Sequence, residues 1–276
     1  MEFLEAVKNY PFLQNALIMG VLSSIACGTM GAYVVVKRIS FISGGIAHAV
    51  LGGMGVAYFF GFRPMAGAFF AALFAAVLLG LVSLRARERE DTAIGALWAT
   101  GMAIGIVFIS KTPGYNVDLM SYLFGNILLV SAGDLFWTAL LDVIILAAVF
   151  LFYNPFLAVC FDEENARLQG IRVEFAYLCL LCLIASTVVI LVHVVGIVLV
   201  IALLTLPAAV ANLFVKRLSQ IMVLASVLGV AFAWFGLFLS YKPDLPAGAT
   251  IILLAATSYL LCLVFLAVGS RMQPRR

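Results

Sequence analysis

Charged side chains are scarce in this chain of 276 residues: Lys and Arg number 16, Asp and Glu 13, and His only two. Soluble domains are about a quarter charged, whereas this sequence is 11% charged and 65% hydrophobic. The composition therefore excludes a water-soluble domain and a disordered chain. A net charge of +3 spread along such a chain also provides no basic surface for nucleic acid.

Cysteine is scarce too, and the five cysteines lie mostly inside apolar runs, which excludes a disulfide framework. The first ten residues carry two acidic residues and one lysine, so we expect no secretory leader and expect the first apolar segment to be retained. Neither end carries a lipidation motif. The chain is therefore expected to sit in the lipid bilayer by spanning it.

Several catalytic motifs are missing. No glycine is followed by lysine, so the chain has no Walker A loop with which to bind ATP. It also lacks an H-E-x-x-H motif and a G-x-S-x-G turn. These absences argue against a membrane-embedded enzyme.

Stretches free of acidic and basic residues predict the membrane spans, because such a residue at a helix centre costs roughly 2.5 to 3.5 kcal/mol. There are eight, at 12–36, 39–62, 64–84, 92–110, 135–153 (interrupted by Asp142), 175–215, 218–241 and 245–270. The 41 residues of 175–215 are about twice what a ~30 Å hydrocarbon core needs. We expect this stretch to fold back near His193 and Gly196. The prediction is nine spans, or eight if one segment is only re-entrant.

The basic residues predict the orientation, since they flank spans on the cytoplasmic side. With nine spans and a cytoplasmic C-terminus, 12 of the 16 Lys and Arg lie on the cytoplasmic side. The outer side then receives Lys8, Arg63, Lys111 and Lys242.

Two connecting segments are unusual. Residues 119–133 are uncharged but too short to cross, which favours a re-entrant or interfacial piece. Residues 161–174 form the longest cytoplasmic connection, and we predict a short helix there, capped by Asp162 and ended by Gly170. Such a helix is either a simple loop element or a docking element for a soluble partner.

Ionisable residues inside a membrane are expensive, so His48 and Asp142 are functional candidates. Ser40, Gly44, His48 and Gly52 recur at helical spacing and form a strip of small side chains around the imidazole, where a second backbone or an ion can approach. His48 is either a ligand for a transition metal or a hydrogen-bond partner of a backbone carbonyl. For Asp142 we favour a structural role over a hard ligand or a proton acceptor.

Four further residues carry weaker signals. His193 is expected near the outer surface, solvated, with a place on an ion path as the alternative. Cys179 and Cys182 have a spacing that can bind soft metals, but within a leucine-rich run they are interpreted as small hydrophobic residues. Pro207 is a candidate kink or hinge.

Five segments together resemble the membrane permease of bacterial ABC importers for zinc, manganese or iron, over nearly the whole chain. They are KRISFISGGIAHAVLGG (37–53), DTAIGALWATGMAIGI (91–106), VDLMSYLFGNILLVS (117–131), DEENARLQGI (162–171) and VVGIVLVIALLTLPAAVA (194–211). The resemblance implies an all-α polytopic fold like that of type II ABC importers, as a single transmembrane domain over 1–276. It also implies a permease homodimer, two cytosolic ATPase subunits that bind ATP, and an extracytoplasmic metal-binding protein.

The resemblance also implies roles for individual residues. The segment 161–174 is similar to the family's coupling segment, where the ATPase would be gripped at Glu163, Glu164, Ala166, Arg167 and Gly170. His48 matches a metal-path histidine that is typically preceded, four residues earlier, by an aspartate. Here that position is Gly44, so we expect a second His48 or Asp142 to compensate.

We therefore predict an ATP-driven permease for a divalent metal in the bacterial inner membrane, without an ATPase site of its own and without covalent chemistry. Zinc is favoured over manganese and iron, because a histidine site without its acid is softer. The alternative is a secondary transporter in which His48 and Asp142 carry protons.

Overall fold

The computed structural model describes residues 2–86, 89–112, 125 and 127–272, and within these residues all regular structure is helical. Nine of the described helices are long and apolar enough to cross a bilayer. They are α2 (Pro11–Lys37), α3 (Ser40–Phe59), α4 (Pro64–Arg85), α5 (Glu90–Ser110), α6 (Ala132–Leu151), α9 (Val173–Val195), α10 (Ile197–Phe214), α11 (Leu218–Tyr241) and α12 (Ala247–Met272). Length and apolarity thus give nine candidate spans among the described residues, in agreement with the predicted number.

Three shorter helices, α1 (Glu2–Asn9), α7 (Tyr153–Phe161) and α8 (Glu163–Leu168), complete the described helical elements apart from a 3₁₀ turn at Ile127–Leu129. Residues 119–124 and 126 of the predicted re-entrant piece at 119–133 lie outside the described residues. Its end is described: Ser131 caps α6 through reciprocal hydrogen bonds with Asp134. This capping box satisfies backbone N–H groups that the first turn of a helix leaves without partners.

The long apolar stretch at 175–215 is divided into two helices, as predicted. α9 ends at Val195 and α10 begins at Ile197, and the residue between them, Gly196, has φ of 85°. This backbone conformation favours glycine because it lacks Cβ. Gly125 also has a positive φ, and a Cβ there would collide with the Val195–Gly196 backbone. The chain therefore turns where two glycines meet.

Helices α2 and α3 form the buried centre of the bundle. α2 packs against α11, α10 and α6, and α3 packs against α5 and α4. In contrast, α5 and α12 expose most of their surface. Because lipid tails are as apolar as leucine, helix association in a membrane depends on close packing of small residues. The outward surfaces of α5 and α12 are apolar as well, because they face lipid.

Glycines set the spacing of the central helices. A Cβ at Gly52 of α3 would lie 2.7 Å from the carbonyl oxygen of Gly101 in α5. One turn further, Gly55 and Gly105 form an equivalent contact. The two backbones touch at these points, which confirms that the small-residue strip of α3 admits a second backbone.

Candidate functional site

His48 lies in the middle of α3, buried, with 8% of its surface exposed. Its imidazole stacks on the indole of Trp98 in α5, with ring centroids 4.0 Å apart and planes inclined by 13°. The Nδ1 atom is buried, and among the described residues it has no hydrogen-bond partner. The alternative in which Nδ1 bonds a backbone carbonyl therefore finds no support in the described part of the chain.

Trp98 is a site residue that sequence reasoning missed. It is half-buried and faces both His48 and Gly44, since a Cβ on Gly44 would lie 3.7 Å from the Trp98 ring. The indole therefore covers one face of the imidazole and the space one helical turn before it. Trp98 belongs to the quoted segment 91–106, but no local pattern in either helix indicates that the two rings meet.

Asp142 is buried in α6, with 5% of its surface exposed, and neither carboxylate oxygen has a hydrogen-bond partner among the described residues. Thr138, one turn earlier on the same face, has a hydroxyl that is also buried and has no hydrogen-bond partner among the described residues. Asp142 lies near Cys27 of α2, the helix on which α6 packs. Asp142 therefore faces the α2 side of the bundle, whereas the His48 ring faces α5.

The described residues hold no group of three or more His, Cys, Asp or Glu side chains that could bind a metal ion. Dications in protein sites normally take several ligands. Within the described part of one copy, His48 thus has no set of partner ligands from these residue types.

His193 is exposed in the last turn of α9, as its position before the turn led us to expect. Cys179 and Cys182 are half-buried free thiols. Cys160, outside the spans in α7, is also free, and burial raises the pKa of its thiol to about 12, which keeps it protonated.

Pro207 is buried inside α10, which continues through it. Proline lacks an N–H, so it leaves a carbonyl of the preceding turn without its helical bond. In the turn before Pro207, α10 meets α2: a Cβ on Gly31 would collide with the Leu204 carbonyl oxygen. Pro207 therefore lies beside a close contact between two helix backbones.

The segment 161–174, for which we predicted a cytoplasmic location, folds as its caps led us to expect. Asp162 accepts a hydrogen bond from the Asn165 N–H at 2.9 Å and so caps α8. The helix ends at Leu168, and Gly170 follows with φ of 78°. A positive φ is the usual conformation just beyond a helix C-terminus.

Two ion pairs hold this segment. Lys37, the last residue of α2, donates to Glu163 Oε1 at 2.5 Å and to the Val159 carbonyl oxygen at 2.7 Å. Arg167 pairs with Glu174 at 2.8 Å, in a much more exposed position. The first pair ties α7 and α8 to the central helix of the bundle.

The residues expected to contact the ATPase differ in solvent exposure. Glu164 and Arg167 are exposed, but Ala166 is 1% exposed and packs into the core. Ala166 therefore anchors α8 and cannot offer its side chain to a partner, because the fold already buries it. Leu168, which sequence reasoning did not single out, is 84% exposed. An exposed leucine on an element outside the spans suits a protein contact.

The site and the bundle define a class: a polytopic helical membrane protein with one buried histidine and a capped short helix outside the spans. The model of the ABC 3 transport family matches residues 9–266. The chain therefore belongs to the ABC 3 transport family, and the resemblance stated from the sequence is confirmed. It is a multi-pass protein of the bacterial inner membrane.

Relatives cover nearly the whole chain. A probable metal transport system membrane protein of Chlamydia trachomatis is 42% identical, over 92% of this chain and 89% of that protein. The manganese transport system membrane protein MntC of Listeria monocytogenes is 37% identical, over 96% and 94%. In PsaBC from Streptococcus pneumoniae, solved in complex with Fab, a chain 32% identical matches with a TM-score of 0.84, over 95% of this chain and 94% of that one.

Proposed function

We propose that this chain is the membrane permease of an ATP-driven importer that carries a divalent first-row transition metal. The observation that carries the proposal is His48, a buried imidazole in a membrane span whose Nδ1 has no partner among the described residues. Neutral imidazole is a common ligand for such metals. Relatives named for metal and manganese transport support the same cargo class.

Zinc is the proposed cargo, ahead of manganese and iron. Gly44 supplies no carboxylate beside His48, and a site built on imidazole without carboxylate is softer than a mixed one. The Listeria relative is named for manganese, so manganese is the main competitor. Uptake of zinc in the presence of equimolar manganese tests this order: zinc uptake should persist, and its suppression would reverse the order.

A homodimer would supply the ligands that one copy lacks, since two-fold symmetry brings in a second His48. The exposed face of α5 supports a dimer of this chain, although it lies on a different side of α5 from Gly101, which contacts the backbone of His48 and Ala49. Gly95, Ala99 and Ala103 lie at helical spacing on that face and are all exposed in the single chain. Small residues at this spacing let two membrane helices approach closely.

The driving force is proposed to come from ATP on separate cytosolic subunits that grip the 161–174 segment, with an extracytoplasmic protein delivering the metal. Leu168 and Glu164 are the exposed groups available for the ATPase contact. Glu163 is a poor probe, because reversing its charge also breaks the internal pair with Lys37. Glu164→Lys and Leu168→Asp should uncouple ATP hydrolysis from transport, and normal stimulated hydrolysis in both variants would contradict the docking role.

The decisive experiment is metal uptake by proteoliposomes that contain the permease and its ATPase. His48→Ala should reduce uptake to background while the complex still assembles, as judged by co-purification. His193→Ala is the matched control, because that histidine is exposed, and it should transport normally. Full uptake by His48→Ala would remove the imidazole from the path.

Trp98 is proposed to hold the His48 ring in place. Trp98→Phe retains an aromatic face for stacking and should preserve metal affinity, whereas Trp98→Ala should weaken it several-fold. Equal affinities of the two variants would show that the stack has no part in metal binding.

The same proteoliposomes distinguish the ATP-driven importer from a proton-coupled secondary transporter. For the importer, metal uptake at constant ATP should survive collapse of the proton gradient.

A further inference from the structure

An apolar groove of about 870 Å³ opens between α3, α4 and α5. Phe70 and Phe74 form part of its rim and are exposed, and the backbone of Gly53 and Gly67 forms part of its floor. Its basic lining residue is Arg63, at the end where α4 begins. The groove is therefore apolar along its length and positively charged at one end.

Glycine contacts create the depth of this groove. A Cβ on Gly53 would collide with the Gly67 carbonyl oxygen, and a Cβ on Gly67 would collide with that of Gly53. The α3 and α4 backbones touch there, and the side chains beside this contact are the small methyl groups of Ala57 and Ala71. In a bilayer, water has no polar groups to bind in such a space, so an apolar group occupies it.

The length of the groove matches one leaflet. From Arg63 to Phe74 the α4 axis rises about 16 Å at 1.5 Å per residue, and half of a ~30 Å hydrocarbon core is about 15 Å. Arg63 lies at the opposite end of α3 from Lys37. With the orientation predicted from the basic residues, this end faces the outer leaflet.

We propose that the groove binds one acyl chain of an anionic phospholipid of the outer leaflet, with the lipid phosphate against Arg63. Among the described residues Arg63 has no acidic partner in an ion pair, and it is exposed at the groove end. Its guanidinium is suited to phosphate because it can donate two parallel hydrogen bonds. The groove lies beside the proposed metal path, since Ala49 and Gly52, neighbours of His48 on α3, also line it.

A second copy of the chain is a less suitable occupant. Leu97, Gly101 and Ile104 line the groove from α5. At 3.6 residues per turn they lie on nearly the opposite side of α5 from the small-residue face at Gly95 and Ala99. A partner helix on the small-residue face leaves the groove open to lipid.

The test is native mass spectrometry of the purified full-length permease, titrated with phosphatidylglycerol or with zwitterionic phosphatidylcholine. Wild-type protein should retain one phosphatidylglycerol per chain in preference to phosphatidylcholine. Arg63→Gln should lower the affinity for phosphatidylglycerol about fivefold, since a single basic residue near an anionic lipid has an effect of that size. The control Lys242→Gln, on the same predicted side but outside the groove, should leave it unchanged.

A second variant fills the groove. Ala66 lines it and is exposed, so Ala66→Trp should abolish retention of the lipid, whereas Ala147→Trp, on the exposed surface of α6, should not. The proposal would be overturned if wild-type protein retained both lipids equally and Ala66→Trp protein did the same. So would a loss of dimer in Ala66→Trp with the lipid count unchanged, which would make the groove an interface between chains.

Discussion

Replacing Lys37 by methionine should loosen the cytoplasmic helix α8 from the bundle. The Lys37 ammonium bonds Glu163 and the Val159 carbonyl oxygen at once, and the two side chains of the pair are only 16% and 19% exposed. Methionine keeps an apolar stem of similar length but donates no hydrogen bond. A hydrogen bond to a charged group contributes about 1.5 to 3 kcal/mol, so we expect a loss of about 2 kcal/mol.

Hydrogen exchange of the α8 amides measures this loss locally. The Ile171 N–H donates to the Ala166 carbonyl oxygen in the native fold, so its exchange reports opening of the segment. A loss of about 2 kcal/mol corresponds to roughly 30-fold faster exchange. Amides in the middle of α3 should exchange as slowly as in the wild type.

The matched control is the second ion pair of the same segment. Arg167 and Glu174 are separated by 2.8 Å, but their side chains are 55% and 60% exposed, and such pairs contribute about 1 kcal/mol or less. Arg167→Met should therefore accelerate exchange no more than about fivefold. Equal acceleration in the two variants would refute the argument that burial makes the Lys37 pair the stronger one.

Three further predictions concern packing and caps. Gly101→Ala places a Cβ 2.8 Å from the Ala49 Cα. This variant should lower the free energy of unfolding in detergent by about 1 to 3 kcal/mol. Gly95→Ala, whose added Cβ has no atom within 4 Å, should not lower it. Asp162→Ala removes the α8 cap and should cost about 1 kcal/mol, seen as faster exchange in α8; Asp162→Asn should retain most of the protection. Asp142→Asn should assemble and transport metal normally if the residue is structural, and loss of uptake with intact assembly would assign it to the path.

The spans and the short cytoplasmic helix could be predicted because their signals are local. Each apolar segment must satisfy its own backbone in lipid, so hydropathy alone determines where the helices lie. Gly196 and Asp162 act on their own chain neighbours, and both were identified from the sequence. His48 was identified as an ionisable residue inside an apolar span, and the resemblance to metal permeases, through contiguous motifs, gave it a role.

Contacts between segments distant in sequence could not be predicted this way. The stack of His48 on Trp98, the bonds from Lys37 to Val159 and Glu163, and the burial of Ala166 depend on how helices pack, which hydropathy does not encode. The residues 161–174 illustrate the difference: charge and capping predicted the helix, but only packing distinguishes the buried Ala166 from the exposed Leu168.

The sequence by itself determined that this protein is a helical membrane protein with one histidine deep in a span, because lipid imposes length, apolarity and helicity on each segment separately. Tertiary structure alone decided that an indole covers that histidine, that Asp142 faces another helix and that glycines open a groove beside them. Those features depend on which helix faces meet, and in lipid that choice comes from close packing between distant segments.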